Sequence, residues 1–290
     1  MAHRVVHGGP RFREPVVIDD DVRRQIHELE ALAPLHNAPA VRAIAEAQRA
    51  LPDVPHVAVF DTAFHATIPD EAATYALPQR WRDLGIRRYG FHGLSVQWSA
   101  EQVRVQRLVV CHLGGGSSVT AVCDGRSVDT TMGFSPLEGV PMTTRSGSVD
   151  PGALIHLLRA EGVDPETLDH ELNFESGMKG LGGGTGDMRD VSGLALDVFT
   201  YRVAGAIGAL AVALDGLDAL VFTAGIGENS ALVRARICRR LGFLGVELDD
   251  DANERAVPDC VISRGDVAVH VVRAREELVA ARAARRLLAT

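Results

Sequence analysis

The sequence predicts an α/β protein built on mixed sheets, and three observations lead to this fold class. Apolar strands are followed by glycine-rich turns and helices, an order typical of open α/β sheets. Residues 108–131 instead predict an antiparallel meander, because Asp124 and Gly125 are hairpin residues between two apolar runs. Residues 195–214 are rich in small and apolar side chains, which is typical of a core helix. Parallel and antiparallel strands are therefore expected together.

Near the amino terminus, local signals predict two helices and a strand. Asp19 is expected to cap the first helix, and residues 34–37 to interrupt the helical pattern before a second helix over 40–51. Residues 56–60 form an apolar strand that delivers Asp61 to its carboxyl end. Ligand sites of open α/β sheets favour that position.

The other elements follow from the same signals of period, caps and glycine. In the last helix we expect Leu278, Ala281 and Leu287 to face the core. The further strands are expected at 3–9, 108–112, 119–123, 217–223, near 261 and at 267–272, and the further helices from 95, over 151–158, over 195–214, over 230–241 and from 276.

Length and composition exclude several classes of protein. The 290 residues correspond to one large or two modest domains, and 46% hydrophobic with 23% charged residues are ordinary globular values. Thirty basic against 38 acidic residues give a net charge of −8, so nucleic acid and anionic membrane are not expected as partners. Any bound anion must therefore be held by local groups.

Cysteine usage and hydropathy point to the cytoplasm. The four cysteines lie far apart without a C-x-x-C pair, which argues against a zinc site or a disulfide framework and predicts buried thiols. The most apolar stretch, residues 203–214, is only 12 residues long and too short to span a bilayer. The first residues show no signal-peptide pattern either.

The scarcity of lysine limits the nucleotide-binding motifs that can be present. Lys179 is the only lysine, and its surroundings do not match G-x-x-x-x-G-K-[ST], so a Walker A loop is excluded. No G-x-G-x-x-G follows a clear strand, which disfavours a simple dinucleotide-binding dehydrogenase. Glycine turns at Gly114, Gly182 and Gly225, each expected after a strand, would be ordinary tight turns singly. Together they favour phosphate binding.

Four further positions are candidates for chemistry, each with a structural alternative. Arg145 lies in a polar loop and suits the spread charge of a transferring phosphoryl group, but also fits a surface ion pair. His92 between Phe91 and Gly93 can donate to an oxyanion or be structural, and Asp61 is a base, a metal-linked carboxylate or a turn former. Glu276 suits Mg²⁺ or the amino end of a helix.

Ten segments, taken in order, resemble the acetate kinase family, the acetokinases that phosphorylate short carboxylates with ATP. The resemblance runs from residue 3 to about 282. The segments are HRVVHGG (3–9), LAPLHN (32–37), VFDTAFH (59–65), RRYGFHGLS (87–95), HLGGGSS (112–118), MGFSPLEG (132–139), TRSGSVDPG (144–152), DMRD (187–190), FTAGIGENS (222–230) and EEL (276–278).

The resemblance implies a two-domain fold related to sugar kinases and actin, ribonuclease H-like with mixed sheets. Residues 1–60 would be the remainder of the first domain, 61–275 the nucleotide-binding domain, and 276–290 a helix returning to the first domain. The implied reaction is reversible phosphoryl transfer between ATP and acetate, giving ADP and acetyl phosphate, with propionate as a further substrate. Mg²⁺ or Mn²⁺ would be the cofactor and a homodimer the working form.

Carried over motif by motif, the resemblance also implies roles for individual residues. Asp61, His92 and Arg145 would be catalytic, and Glu276 would help to hold the metal. The substrate would contact Arg4, Val6, Leu35, Phe91 and Pro136. The nucleotide would contact His112, Leu113, Gly114, Gly115, Gly116, Asp187, Met188, Arg189, Gly225, Ile226, Gly227, Glu228 and Asn229.

The sequence also departs from the family pattern. Family members begin with a further phosphate-binding segment before the strand that opens here, so the first domain is expected to be truncated at its amino end. Gly115 lacks an amide side chain, Thr143 adds a hydroxyl, Ser148 replaces a carboxylate and Arg275 places a cation beside the metal ligand. The alternative hypothesis is therefore a truncated, impaired member that binds nucleotide without efficient turnover.

Overall fold

Two mixed sheets organise the chain, as the sequence predicts. The computed structural model describes the backbone of residues 1–29 and 34–289, and the side chains of 1–29 and 37–289. The strands are β1 Ala2–Val5, β2 Val16–Val17, β3 Val57–Phe60, β4 Arg107–Leu113, β5 Ser117–Cys123, β6 Arg126–Thr130, β7 Ala219–Thr223, β8 Cys260–Val261 and β9 Ala268–Val271.

Helices of very different length connect and cover these strands. They are α1 Asp20–Glu28, α2 Pro34–Ala50, α3 Asp70–Ala73, α4 Gln79–Arg82, α5 Gly93–Gln102, α6 Pro151–Arg159, α7 Pro165–His170, α8 Gly177–Leu181, α9 Gly193–Ala213, α10 Ala224–Asn229, α11 Ala231–Cys238, α12 Asp250–Glu254 and α13 Glu276–Leu288. Short 3₁₀ helices cover Ala63–Thr67 and Gly242–Leu244, and a π-helical turn covers Glu171–Glu175.

The smaller sheet has the order β1-β3-β2, with β1 parallel and β2 antiparallel to β3. Asp19 caps α1 through the Val22 amide, as predicted. The expected interruption at residues 34–37 is wrong, because α2 begins at Pro34 and also contains Pro39. Proline is tolerated in the first turn of a helix, where the amide it lacks has no partner in the helix.

The larger sheet has the order β6-β5-β4-β7-β9-β8. The antiparallel meander of β4, β5 and β6 is confirmed, and β7 and β9 run parallel to β4 on its other side. In this register His112 lies opposite both Ser118 and Thr223. The ends of β4 and β7 and the start of β5 therefore meet at one edge of the sheet.

Helix α9 is the main core helix of the larger sheet. Its 21 residues make it longer than the 12-residue apolar stretch seen in the sequence, and by length and composition alone it could cross a membrane. Half of its most apolar window is nevertheless buried within the protein, where Phe199, Val203 and Ile207 pack into the main core. This burial is what a core helix requires.

Helix α13 packs against α5, β1 and β3, and it joins a core shared by both sheets. The predicted inward face is only partly correct: Leu287 packs against this core, but Leu278 and Ala281 are exposed, and Val279, Ala280 and Ala284 are buried instead. The pattern misleads because α13 carries alanines all round, so the choice of apolar stripe depends on packing.

Two further expectations need correction. Gly182 follows helix α8, not a strand, and Gly225 lies within the short helix α10. The cysteines are not all buried, because Cys123 and Cys260 remain half-exposed.

Candidate active site

Three charged side chains meet where the smaller sheet, β3 and α13 converge. Arg4 lies near the carboxyl end of β1, Asp61 comes directly after β3, and Glu276 opens α13. Arg4 donates from Nη2 to Asp61 Oδ2 at 2.7 Å and from Nε to Oδ1 at 2.9 Å, and from Nη1 to Glu276 Oε2 at 3.3 Å. The sequence-predicted substrate, catalytic and metal residues thus form one cluster.

Burial sets the protonation preferences in this cluster. Asp61 is only 1% exposed, and burial raises the pKa of its carboxyl, although Arg4 opposes that shift. Burial likewise raises the pKa of Glu276, again against Arg4. For Arg4, burial acts to lower the pKa, but the carboxylate of Asp61 outweighs it and raises the pKa. The guanidinium keeps two carboxylates together in a partly dry place.

His92 is held in a strained backbone conformation at the start of α5. Its φ of 59° lies in the left-handed region, which a side chain with a Cβ rarely adopts and which costs about 1 kcal/mol or more. The Asp61 carbonyl accepts from the next amide, Gly93, at 3.0 Å, and so joins this turn to the charged cluster. Strain of this kind at a residue with a polar side chain points to function.

The His92 ring stacks on His112 with centroids 4.0 Å apart and planes 19° apart. His92 Nδ1 lies 3.0 Å from Ser118 Oγ, and His112 Nδ1 lies 2.8 Å from Ser95 Oγ. Burial, then the neighbouring ring, lowers the pKa of His92 well below its usual range, and burial with Arg4 lowers that of His112 to about 3. Both rings are therefore neutral imidazoles at pH 7.

Arg145 reaches the same place from the loop between β6 and α6. The base of the loop is closed by two contacts between Gly139 and Ser148, one of them from the Gly139 amide to Ser148 Oγ at 3.1 Å. Arg145 Nη1 donates to the Pro136 carbonyl at 3.2 Å. Burial lowers the pKa of the guanidinium from its usual value, which still leaves it charged at pH 7.

The glycine turn after β4 lies between these groups. A Cβ placed on Gly116 would be 3.1 Å from His92 Nε2 and 3.5 Å from Arg145 Nη1. A Cβ on Gly114 would be 3.5 Å from the Cβ of Ala224, at the start of α10. The Gly114–Gly116 turn thus has His92 and Arg145 on one side and the start of α10 on the other.

Two charged side chains, Glu228 and Arg234, hydrogen-bond to the backbone of the short helix α10. Glu228 Oε1 accepts from the amides of Ala224 at 3.0 Å and Ala274 at 2.9 Å, and Ala224 has a left-handed φ of 65°. Arg234, 2% exposed, donates to the carbonyls of Gly227 and Glu228 at 2.9 Å and to Asn253. Glu228, predicted to touch the nucleotide, directs its carboxylate to backbone amides.

The remaining predicted nucleotide residues are distributed unevenly. Leu113 is fully buried in the core, and Met188 and Ile226 pack against that core while partly exposed. Asp187 and Arg189 form an exposed ion pair, and the hydrogen bonds of Arg189 lower the pKa of Asp187 to about 2. Gly186, before them, abuts the Thr143 carbonyl.

An apolar cluster adjoins Arg145. Phe91, Met132 and Met142 are fully buried and the partly exposed Val6 packs against them, while Met142 Sδ lies 3.7 Å from Arg145 Nη1. The Leu35 side chain, also predicted for the substrate pocket, lies outside the described residues. Val6 and Phe91 are therefore brought together, with Pro136 joined through Arg145.

Sequence reasoning missed the residues that support this cluster. Met132, His7 and Asn37 stood within quoted motifs without a role, and Met142 lies between two of the quoted motifs. Asn37 is fully buried and binds both the amide and the carbonyl of His7, whose ring lies edge-on to Phe91 at 5.3 Å. The motif HRVVHGG contains His7, but its partner Asn37 lies about thirty residues later, in α2, so the motif alone could not reveal the pair.

The donor set suits a hard divalent cation held partly by phosphate. Among the described residues no group of three His, Cys, Asp or Glu side chains is placed to hold a metal. Asp61 and Glu276 nevertheless both contact Arg4 at the edge of the site. Mg²⁺ in phosphoryl-transfer enzymes takes one or two carboxylates, with phosphate and water completing its shell. This pair fits that pattern.

Known proteins match this chain over nearly its full length. The model of the acetokinase family matches residues 1–282. An acetate kinase of Protochlamydia amoebophila is 47% identical over 97% of this chain and 75% of that protein, and one of Gloeobacter violaceus is 49% identical over 94% and 72%. The chain thus spans about three quarters of the length of these relatives.

Solved structures agree. A propionate kinase from Francisella tularensis superposes with a TM-score of 0.92 at 38% identity, covering 97% of this chain and 77% of that one. The acetate kinase of Porphyromonas gingivalis gives a TM-score of 0.92 at 36% identity, over 99% and 77%. With the family model covering almost every residue, this chain belongs to the acetokinase family.

Proposed function

We propose that the protein transfers the γ-phosphoryl group of ATP reversibly to the carboxylate of acetate, giving ADP and acetyl phosphate. The observation that carries the proposal is the convergence of His92 Nε2 and Arg145 Nη1 on the Gly116 turn, next to the Arg4 and Asp61 pair. Groups that spread positive charge and donate hydrogen bonds around one point are what phosphoryl transfer requires. Membership of the acetokinase family supports the same reaction.

In the forward step, an acetate oxygen attacks the γ-phosphorus while the bond to the ADP oxygen breaks, and ADP leaves with that electron pair. Negative charge spreads over the three other phosphoryl oxygens. Arg145 would donate to two of them, and the neutral His92 would donate from Nε2. Donors that are fixed in place before the reaction and directed at the phosphoryl group in transfer would stabilise the transition state more than the bound substrates, and burial would strengthen them relative to water.

The two glycine turns would hold the nucleotide, with the predicted contacts from His112 to Gly116 and from Gly225 to Asn229. The Gly225 backbone is open, since a Cβ there would meet no atom within 4 Å. Asp187, Met188 and Arg189 would contact the rest of the nucleotide. Asp61 and Glu276 would hold Mg²⁺ or Mn²⁺, which neutralises charge on the phosphates when bound.

The apolar cluster supports a short acyl chain. Val6, with Phe91 and the two methionines behind it, would contact the methyl group of acetate. An apolar pocket discriminates by only about 1–3 kcal/mol per methylene, so propionate is expected as a slower or weaker substrate.

Three further expectations remain predictions that this proposal includes. The protein would work in the cytoplasm and as a homodimer, and residues 1–60, 61–275 and 276–290 would be its domain parts. Light scattering of the purified chain measures the dimer directly: a single species of 62 kDa, twice the 31.0 kDa chain, is expected. A species at the mass of one chain at micromolar concentration would contradict it.

Acetyl phosphate formation tests the proposed reaction. The purified chain is incubated with ATP, Mg²⁺ and acetate or propionate, the product is trapped with hydroxylamine, and circular dichroism of the same sample reports folding. We expect turnover that requires both acid and metal. A folded protein that binds ADP but forms no acyl hydroxamate would overturn the proposal and favour the impaired nucleotide binder.

A further inference from the structure

Two buried serines hold the stacked histidines in a reciprocal arrangement. Ser95 lies one helical turn after His92 on α5, yet its hydroxyl contacts His112. Ser118 lies opposite His112 in the sheet, yet its hydroxyl contacts His92 Nδ1 at 3.0 Å. Ser118, next to His112 in the sheet, thus contacts Nδ1 of His92, and Ser95, on the helix that follows His92, contacts Nδ1 of His112. The Nε2 atoms are left to face elsewhere.

Burial decides which partner donates in the contact between Ser118 and His92. The Ser118 side chain is fully buried, and its hydroxyl makes no other hydrogen bond within residues 1–29 and 34–289. If Nδ1 were the donor, the hydroxyl hydrogen would be buried without an acceptor, at a cost of about 1–3 kcal/mol. The hydroxyl must therefore donate to Nδ1, which leaves the ring proton on Nε2.

In a third serine and histidine pair, Ser127 and His65, the direction of the hydrogen bond follows from a different contact. His65 Nε2 lies 2.9 Å from the Phe91 carbonyl, which can only accept, so Nε2 carries the proton. His65 Nδ1 must then accept, and its partner is the buried hydroxyl of Ser127 at 2.8 Å. The fold thus already contains a serine that donates to Nδ1.

The tautomer of His92 matters because of the direction in which Nε2 points. Nε2 points toward the Gly116 turn, on the side where Arg145 Nη1 also points. We propose that Ser118 is a positioning residue, which donates to His92 Nδ1 and thereby keeps the proton on Nε2, where it can be offered to the phosphoryl group. This inference rests on the proposed function for the role of His92, and on geometry alone for the tautomer.

The opposite tautomer would present a lone pair to the phosphoryl oxygens. A neutral ring with the proton on Nδ1 repels an anion at Nε2, and the site would lose one donor from its transition state. Removing one such donor typically lowers kcat about a hundredfold to a thousandfold. Ser118→Ala frees the ring to populate both tautomers, so we expect kcat to fall about tenfold to a hundredfold, with KM for ATP and acetate within about twofold.

Nitrogen-15 NMR of the histidine rings reads the tautomer without any substrate. In the wild-type chain at pH 7.5, His92 is expected to show a protonated Nε2 and an unprotonated, hydrogen-bonded Nδ1. Ser118→Ala should shift both nitrogens toward averaged values. Ser118→Thr keeps the hydroxyl on a strand that accepts β-branched residues, and should retain the wild-type pattern and most of kcat.

Ser127→Ala is the matched control. It removes a buried hydroxyl from an equivalent pair on the neighbouring strand β6, at His65. Its loss of stability should be similar to that of Ser118→Ala, with the His92 nitrogen shifts unchanged and kcat within about twofold of wild type.

The two readouts separate this inference from the proposed function. The assigned tautomer is overturned if wild-type His92 carries its proton on Nδ1 or if Ser118→Ala leaves the tautomer unchanged. In a chain that forms acyl phosphate, the positioning role is overturned if Ser118→Ala changes only the tautomer. A wild-type chain that forms no acyl phosphate, but carries the His92 proton on Nε2, would overturn the proposed function and retain Ser118 as the residue that sets the tautomer.

Discussion

The two ends of the candidate site are built on different principles. At the proposed acyl end, side chains would face the reacting groups directly: Arg4, Asp61, His92 and Arg145 come from four separate segments. At the proposed nucleotide end, the backbone of Gly114 and Gly225 would face the ligand, and two charged side chains bind the protein backbone instead. Glu228 and Arg234 hold backbone amides and carbonyls from behind.

Because of this difference, substitutions at the two ends should affect different measured quantities. At the acyl end a changed side chain removes a donor or a charge from the reaction itself, so rate should change while the fold persists. At the nucleotide end, a change at Glu228 or Arg234 would loosen the backbone that these residues bind, so stability and nucleotide affinity should change together. The following four tests address that contrast.

Arg145→Ala should have the largest effect. It removes the guanidinium that we propose to stabilise the phosphoryl charge, and kcat is expected to fall about a thousandfold or more with an unchanged circular dichroism spectrum. Arg145→Lys should recover only part of the loss, because a lysine cannot make the planar two-point contact. The control is Arg255→Ala, which breaks an exposed ion pair with Asp251 and a hydrogen bond to the carbonyl of the same residue. A wild-type rate for Arg145→Ala would remove this residue from the mechanism.

Arg234→Met should show the opposite pattern. The carbonyls of Gly227, Glu228 and Asn253 would lose a buried donor, so we expect the free energy of unfolding to fall by about 3 kcal/mol. KM for ATP should rise severalfold, with KM for acetate nearly constant. Arg236→Met, on the same helix and paired with Asp197, is the control. Urea unfolding with steady-state kinetics measures both, and an unchanged KM for ATP would contradict the supporting role.

Acid should weaken the fold through the histidine-rich acyl end. Burial lowers the pKa of His65 from 6.5 to about 4, so the unfolded chain takes up a proton first as the pH falls. The stability that this group contributes is complete above pH 6.5 and is lost as the pH falls toward 4. At pH 5 the loss is about 2 kcal/mol.

His65→Gln should therefore reduce the loss of unfolding free energy between pH 7.5 and pH 5 by about 2 kcal/mol. The exposed His156 provides the control as His156→Gln, which should leave the slope unaltered. Urea titrations at half-unit pH intervals give the slope. Equal slopes for His65→Gln and wild type would show that His65 is not buried neutral.

Arg189→Ala should have the smallest effect. Its side chain is 88% exposed and, among the residues that the structure describes, pairs with the neighbouring Asp187, so Tm should not change measurably. If the proposed nucleotide contact is real, KM for ATP should still rise a fewfold, with kcat retained. Thermal unfolding and ATP titration of the rate measure the two quantities, and an unchanged KM for ATP would remove Arg189 from the nucleotide site.

Local sequence signals predicted the parts of this molecule that local physics determines. The strand ahead of Asp61, the hairpin at Asp124 and the proline-started helix α6 each depend on residues within a few positions. The serines that hold His92 and His112 were not predicted, because strand register brings Ser118 to the first ring and α5 packing brings Ser95 to the second. Such pairings are absent from any single segment.

Two departures from the family pattern turn out to be neighbours. Thr143, where the family has glycine, donates from Oγ1 to the carbonyl of Gly115, where the family has asparagine, at 3.0 Å. The added hydroxyl thus occupies space beside the position that lacks an amide side chain. Ser148 also retains an acceptor at its position, because Oγ accepts from the Gly139 amide. Arg275 is different, since its Nε is buried without a hydrogen-bond partner among the described residues.

The three residues before and at the start of α13 connect the two ends of the site. The Ala274 amide donates to Glu228 behind the nucleotide turn, and two residues later Glu276 accepts from Arg4. One residue, Arg275, separates the two attachments. A rotation of α10 would therefore move residues 274–276 and shift the Glu276 carboxylate relative to Arg4. Because α13 packs on β1 and β3, the same movement would also reach those strands.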